Sequence, residues 1–306
     1  MRYEPIIGLE VHLQLKTLSK MFAPEANVES SVPNVNISPV SLAHPGTLPV
    51  PNKRAIEMGV LMSTAIGCTI NTHSKFDRKN YFYPDLPKGY QVSQFDLPIG
   101  QNGELLIEVE DEHKERRAIK IGIERLHLEE DAAKNIHDAS SGKTLVDYNR
   151  AGVPLIELVS KPDLRSAEEA KAYLHEIRLI ARTLGVSDAD MEKGHMRCDA
   201  NISLRRLNDD GSIEGNRFNP KTEIKNLNSF RMVERALRYE IERQKNLWES
   251  NTGGRSHTID SRASGSKTSA FQRRIQTFRR RHPHGRRRSV ACQLHRSPLF
   301  GTPRMD

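Results

Sequence analysis

Residues 7 to 15 alternate, with Ile7, Leu9, Val11, Leu13 and Leu15 in one phase and Gly8, Glu10, His12 and Gln14 in the other. Successive strand side chains point to opposite faces, so this period predicts a strand with one side in a core and Glu10 and His12 together on the other. His195 to Arg205 repeats the pattern. Met196, Cys198, Ala200, Ile202 and Leu204 face inward, and His195, Arg197, Asp199, Asn201, Ser203 and Arg205 face outward. Between these strands, Ile119, Ile121 and Ile123 keep one phase while Leu126 and Leu128 keep the opposite one. A one-residue slip predicts a bulge near Glu124 and Arg125, which re-aims the acidic cluster Glu129, Glu130 and Asp131.

Helical spacing appears three times. Ser166 with Glu169 reads as a capping box, followed by Ala170, Tyr173, Leu174, Ile177, Ile180, Ala181 and Leu184 on one face and a stop at Gly185. A second helix follows Asn228 and Ser229, with Phe230, Val233, Leu237 and Ile241 in phase, and a third starts after Asn52 and ends near Gly67. Antiparallel-type strands with one polar face and a few helices between them predict an α+β architecture, mainly antiparallel sheet with packed helices. Neither Gly-rich phosphate-loop pattern occurs, which agrees with that class.

The 306 residues are 36% hydrophobic, enough for a substantial core. The weakly apolar stretch from Met58 to Ile70 is too short to span a bilayer, and no early segment has the build of a secretion signal, so a cytoplasmic protein without membrane attachment is expected. Cys68, Cys198 and Cys292 are widely spaced and lack a C-x-x-C pair, so neither a disulfide framework nor a cysteine zinc site is expected.

The net charge of +8 is unevenly placed. Of 47 basic and 39 acidic side chains, 13 and 2 fall in residues 253 to 306, so the first 252 residues hold 34 and 37. The body is slightly acidic, and the tail alone makes the chain basic. From Asn251 onward the helical period collapses into Ser, Gly, His and Arg, with Arg279 to Arg281 and Arg286 to Arg288 as runs. The expected organisation is a catalytic domain over residues 1 to 252 and a disordered Arg-rich tail over 253 to 306.

The polar strand faces carry Glu10, His12, Asp199 and Glu223, and the bulged strand adds Glu129, Glu130 and Asp131. Hard oxygens with one imidazole suit Mg²⁺ or Mn²⁺ beside nucleotide phosphates, with Arg197, Lys221 and Lys225 as counter-charges. The same residues also fit ordinary solvated strand faces, and periodicity does not separate the two. The segment from Lys75 to Pro84 interleaves basic residues with Phe76, Tyr81, Phe82 and Tyr83, which suits either base stacking or a packed loop.

Six blocks in order carry a resemblance: Ile7 to Leu13, Lys75 to Pro84, Leu126 to Asp131, Val146 to Leu158, Arg197 to Ser203 and Glu223 to Phe230. Together they resemble the B-subunit family of glutamyl/aspartyl-tRNA amidotransferases over roughly residues 3 to 250. The resemblance implies a cradle domain similar to glutamine synthetase. It implies ATP-dependent phosphorylation of the side-chain carboxylate of Glu or Asp misacylated onto tRNA(Gln) or tRNA(Asn), then displacement of phosphate by ammonia from glutamine. The amidase (A) and small (C) subunits of a heterotrimer are the implied protein partners, and ATP and Mg²⁺ the implied cofactors. By matching motifs, Glu10, His12 and Glu130 would be metal ligands, and Asp199 and Glu223 further catalytic or ligand candidates. Arg197 and Lys225 would contact phosphate, and Asp147, Asn149 and Arg150 would shape the site or meet the tRNA acceptor end.

Residues 253 to 306 do not resemble that family. The expectation is an out-of-frame segment, a chain inactive by itself, and a possible further reading as a non-catalytic RNA-binding protein using the basic tail. A stand-alone ligase for a small acid is a third reading, distinguished by ATP turnover without tRNA.

Overall fold

The alternation over residues 7 to 15 becomes the middle of a large sheet. The structure is a computed structural model that describes residues 2–110, 115–138, 140–215, 219–250 and 257–260. In chain order its elements are β1 (Arg2–Gln14), α1 (Lys53–Ala65), β2 (Thr69–Ile70), β3 (Asp77–Asn80), β4 (Tyr90–Ser93), β5 (Gly100–Glu110), β6 (Arg116–Glu130), β7 (Lys134–Asp138) and β8 (Lys143–Asp147). They continue with β9 (Pro154–Ser160), α2 (Ala167–Thr183), β10 (Met196–Leu207), β11 (Thr222–Leu227), α3 (Phe230–Glu249) and β12 (His257–Asp260).

Eight strands form one sheet in the order β12-β11-β10-β1-β9-β6-β5-β2. Every pairing in it is antiparallel except β11 with β12. The hairpins β3-β4 and β7-β8 stand apart. The fold is therefore α+β, with a large antiparallel sheet and three helices among the described residues.

The apolar phase of each strand meets those helices. Ile7, Leu9, Val11 and Leu13 of β1 and Met196, Cys198, Ala200 and Ile202 of β10 share one buried cluster with Met62 of α1, Leu174 of α2 and Leu237 of α3. The bulge in β6 falls where the phase change puts it: its register against β9 slips between Ile123 and Arg125, so Ile121, Ile123, Leu126 and Leu128 are all buried. Beyond the slip, His127, Glu129 and Asp131 share one face and Glu130 takes the other.

The helix ends follow their capping residues. Asn52 accepts from the amides of Arg54 and Ala55 at the start of α1, and Ser229 from Met232 at the start of α3. Ser166 caps α2 by accepting from the Glu169 amide, but the reciprocal half of the box is replaced. The Glu169 carboxylate accepts from the Arg165 amide and from Arg117, each at 2.6 Å, so it ties the helix to β6 as well as capping it. Gly185, at φ +66°, ends the helix in the left-handed region that a Cβ disfavours.

Two elements differ from the sequence expectation. The run from Pro154 to Ser160 shows no alternation yet forms β9, because a strand between β1 and β6 is covered on both faces. Residues 257 to 260 lie within the segment expected to be disordered, yet they form β12 alongside β11, as suits the β-branched pair Thr258-Ile259. The remainder of the expected tail, Cys292 and its arginine runs included, lies outside the described residues. Cys68 and Cys198 are buried free thiols. Among the described residues, no helix is long and apolar enough to cross a membrane.

Candidate active site

Four neighbouring strands bring one row of polar side chains into register. Arg197 on β10 is opposite His12 on β1, His12 is opposite Glu157 on β9, and Glu157 is opposite His127 on β6. One step along, Glu10 is opposite Asp199. Directly opposed residues hold their Cβ atoms about 4.5–5.5 Å apart, so the sheet itself gathers the groups. His12 Nε2 lies 3.3 Å from Glu157 Oε2, 3.6 Å from Glu129 Oε1 and 3.8 Å from Glu10 Oε1.

These separations suit a shared cation. Ligands about 2.1 Å from an octahedral ion stand roughly 3 Å apart when adjacent and about 4.2 Å when opposite, and the three separations from His12 fall in that interval. Glu10, His12 and Glu157 can each offer one atom within 4.8 Å of the others. Three carboxylates with imidazole form a hard donor set that fits Mg²⁺ or Mn²⁺.

The electrostatics show what the cluster lacks. Burial raises the Glu10 carboxyl above its usual range, and the neighbouring Glu157 charge adds to the effect. Burial works against protonation of His12 and His127, but the carboxylates of Glu157 and Glu129 outweigh it, and His127 is raised to about 9. Glu157 is held well below its usual range although burial opposes this, because both histidines face it. The carboxylates thus recruit positive charge wherever they can find it.

Basic residues border the centre. Arg197 donates to Asp131 at 2.8 Å, and Asp131 also accepts from Gln14 at 2.9 Å. Lys225 Nζ sits between Asp199 Oδ2 at 3.0 Å and Glu223 Oε1 at 2.9 Å. Asp199, Glu223, Arg197 and Lys225 therefore share the polar side, with Asp199 and Glu223 meeting a lysine. A cavity of about 340 Å³ opens beside Glu10, lined among others by Gly8, Asn201, Ser203, Asn219 and Lys221.

Glu130 does not join His12 and Glu10. As the neighbour of Glu129 on an extended strand it points the other way, where Lys88 Nζ donates to it at 2.7 Å and the Val92 amide at 3.0 Å. Glu129 and Glu157, rather than Glu130, are the carboxylates that stand beside His12 together with Glu10. Sequence reasoning also passed over Glu157 and His127. The available signal was a carboxylate inside the apolar run Pro154 to Val159, since a charge on a central strand requires a partner.

The segment from Lys75 to Pro84 divides. Phe76 packs edge-on to Phe22 with centroids 5.2 Å apart, whereas Phe82 is 91% exposed. Asp147, Asn149 and Arg150 act on backbone. Asp147 caps the single turn Tyr148–Arg150, Asn149 accepts from the amides of Val35 and Asn36 at 2.8 Å, and Arg150 donates to the carbonyls of Ala132 and Ala133. They fix the loop around residues 32 to 36 and the chain just past Glu130.

The profile of the family described as GatB/GatE catalytic domain matches residues 5–287, which runs past residue 252, where the family likeness was expected to end. The chain is 54% identical over 245 residues to the B subunit of the aspartyl/glutamyl-tRNA(Asn/Gln) amidotransferase of Oceanobacillus iheyensis, covering 80% of this chain and 49% of that one. The protein of the same name from Listeria monocytogenes is 55% identical over 250 residues, covering 82% and 50%. That from Thermosynechococcus vestitus is 52% identical over 247 residues, covering 79% and 48%. The chain spans about half the length of the curated relatives it matches. With nearly its whole length matched and its polar row carried on the matched strands, the chain belongs to the GatB/GatE catalytic domain family.

Proposed function

We propose that the chain is the catalytic part of the B subunit in a cytoplasmic, tRNA-dependent amidotransferase. With ATP and Mg²⁺ it phosphorylates the side-chain carboxylate of glutamate misacylated onto tRNA(Gln), or of aspartate misacylated onto tRNA(Asn). Ammonia released from glutamine by the partner amidase, in an assembly completed by a small third protein, then displaces the phosphate and forms the amide. The eight-stranded sheet is read as a glutamine synthetase-like cradle. The observation that carries this reading is the convergence of Glu10, Glu129 and Glu157 on His12, on the polar side of a core-backed sheet in a chain of this family.

Glu10, His12, Glu129 and Glu157 would hold the Mg²⁺, which supplies charge neutralisation between two anions, the terminal phosphate and the carboxylate. The chain's own residues position the reactants. Arg197, held by Asp131, presents a fixed guanidinium beside His12, suited to a phosphate oxygen. Lys225 is kept protonated by Glu223 and Asp199 even though burial acts against it, and so offers a second cation. The cavity beside Glu10 gives phosphates an approach over Gly8, where a side chain would narrow it.

The test compares the wild-type chain with Glu157→Gln, each mixed with the amidase and the small third protein, ATP, Mg²⁺, Glu-tRNA(Gln) and ammonium chloride. The expected result is ADP and Gln-tRNA formation that requires the charged tRNA and falls at least about 100-fold in the variant. Equal rates for the two proteins, or ATP turnover indifferent to the tRNA, would overturn the proposal.

A further inference from the structure

β11 carries one residue more than β10 where the two strands pass Asp199. Cys198 is opposite Leu227 and Ala200 is opposite Ile224, so Asp199 faces the pair Lys225-Asn226. Asn226 stands there at φ +61°, in the left-handed region that a glycine occupies in one common form of β-bulge. Asparagine is among the few residues with a side chain that enter this region readily.

The extra residue decides which side chains of β11 face the polar side of the sheet. Leu227 is buried in the core cluster, together with Val233 and Leu237 of the helix that follows, so the end of the strand is anchored. Counted back from Leu227 without a bulge, Lys225 and Glu223 would fall in the buried phase and Thr222, Ile224 and Asn226 on the polar side, because strand side chains alternate. The reverse is found. Thr222 and Ile224 are buried, and Lys225 Nζ reaches Asp199 Oδ2 at 3.0 Å and Glu223 Oε1 at 2.9 Å. A single left-handed residue therefore turns over the segment from Thr222 to Lys225 as one piece.

We propose that Asn226 is a positioning residue for nucleotide binding, its left-handed backbone aiming the Lys225 ammonium at the polar side of the sheet beside Asp199. This rests on the reading of Lys225 as a phosphate contact given above. Asn226 acts through backbone conformation, so glycine can replace it and a β-branched residue cannot.

Binding of the magnesium complex of a non-hydrolysable ATP analogue to the full chain is measured by calorimetry, with thermal scans to establish that each variant folds. Lys225→Met is expected to weaken it at least about tenfold, the loss of one hydrogen bond between charged groups. Asn226→Val and Asn226→Thr should weaken it about fivefold or more, whereas Asn226→Gly stays within about twofold of the wild type. Asn226→Val combined with Lys225→Met should bind no more weakly than Lys225→Met alone, because the first residue acts through the second. Wild-type affinity in the folded β-branched variants, additive losses in the combined variant, or a folded Asn226→Gly that has lost binding overturns the proposal. The glycine variant decides by itself if the β-branched ones do not fold. Unchanged binding in Lys225→Met removes the phosphate role of Lys225, and this proposal with it, but leaves the Mg²⁺ centre standing. No binding by the wild-type chain overturns the nucleotide reading as well.

Discussion

Arg197 and Asp131 meet at 2.8 Å across the end of β1, joining β10 to the residue just beyond β6. Asp131 is buried, and Arg197 beside it holds the carboxyl below its usual range although burial pushes the other way. The pair fixes the direction in which the guanidinium can offer its remaining donors. Asp131→Asn is expected to lower kcat for ATP-dependent transamidation by about 10- to 100-fold while leaving Mn²⁺ affinity within about threefold. Arg197→Lys should not restore activity, because an ammonium lacks the planar fork. Steady-state kinetics with calorimetry on the same samples checks both statements.

Glu129 and Glu130 are neighbours with opposite surroundings, one facing His12 and the other Lys88. Glu129→Gln and Glu157→Gln are expected to weaken Mn²⁺ binding at least about tenfold, whereas Glu130→Gln should change it by less than about threefold. Isothermal titration of the three variants decides the matter. A metal-binding loss confined to Glu130→Gln would restore the motif-based ligand set.

Lys20 is wholly buried, with its ammonium donating to the Asn36 carbonyl at 2.6 Å and lying 3.5 Å from Glu25. Removing Glu25 alone strands that charge, so Glu25→Ala is expected to destabilise the chain by about 3 kcal/mol, measured by denaturant unfolding. Lys20→Met combined with Glu25→Ala should recover much of the loss.

The same carboxylate gives a pH dependence. Burial would raise Glu25, but the hydroxyls of Ser41 and Ser38 and the Lys20 charge hold it below its ordinary value of 4.5. Because the folded value is the lower one, the unfolded chain takes up the proton first. The contribution is complete above about pH 4.5 and is lost as pH falls through the folded value. Glu25→Gln should therefore show a smaller fall in Tm between pH 6 and pH 4 than the wild type, a comparison thermal scans can make directly.

Asn149 holds the amides of Val35 and Asn36 with one oxygen. Asn149→Ala is expected to speed hydrogen exchange at those amides by about tenfold or more and to cost under about 1.5 kcal/mol overall, since water replaces the lost acceptor. Exchange followed by mass spectrometry reads the loop and the rest of the chain separately.

The alternation of Ile7 to Leu15 and of Met196 to Leu204 settled which sides of β1 and β10 meet the core, because a period of two admits only one burial pattern. The phase change after Ile123 located the bulge for the same reason, and Asn52, Ser166 and Ser229 marked the helix starts through local hydrogen bonds. Glu10, His12, Arg197 and Asp199 could be grouped from those patterns, since each lies on the polar side of a clearly periodic strand.

Which strands stand side by side was decided only in three dimensions. β9 shows no alternation, so nothing local announced that Glu157 would stand between His12 and His127. The choice between Glu129 and Glu130 depended on how the bulged strand is turned against its neighbours, a matter of pairing register between segments distant in the chain. Composition, periodicity and caps are short-range and are carried by the sequence alone. The metal-type cluster is a product of cross-strand register, which exists only once the sheet has closed around its core.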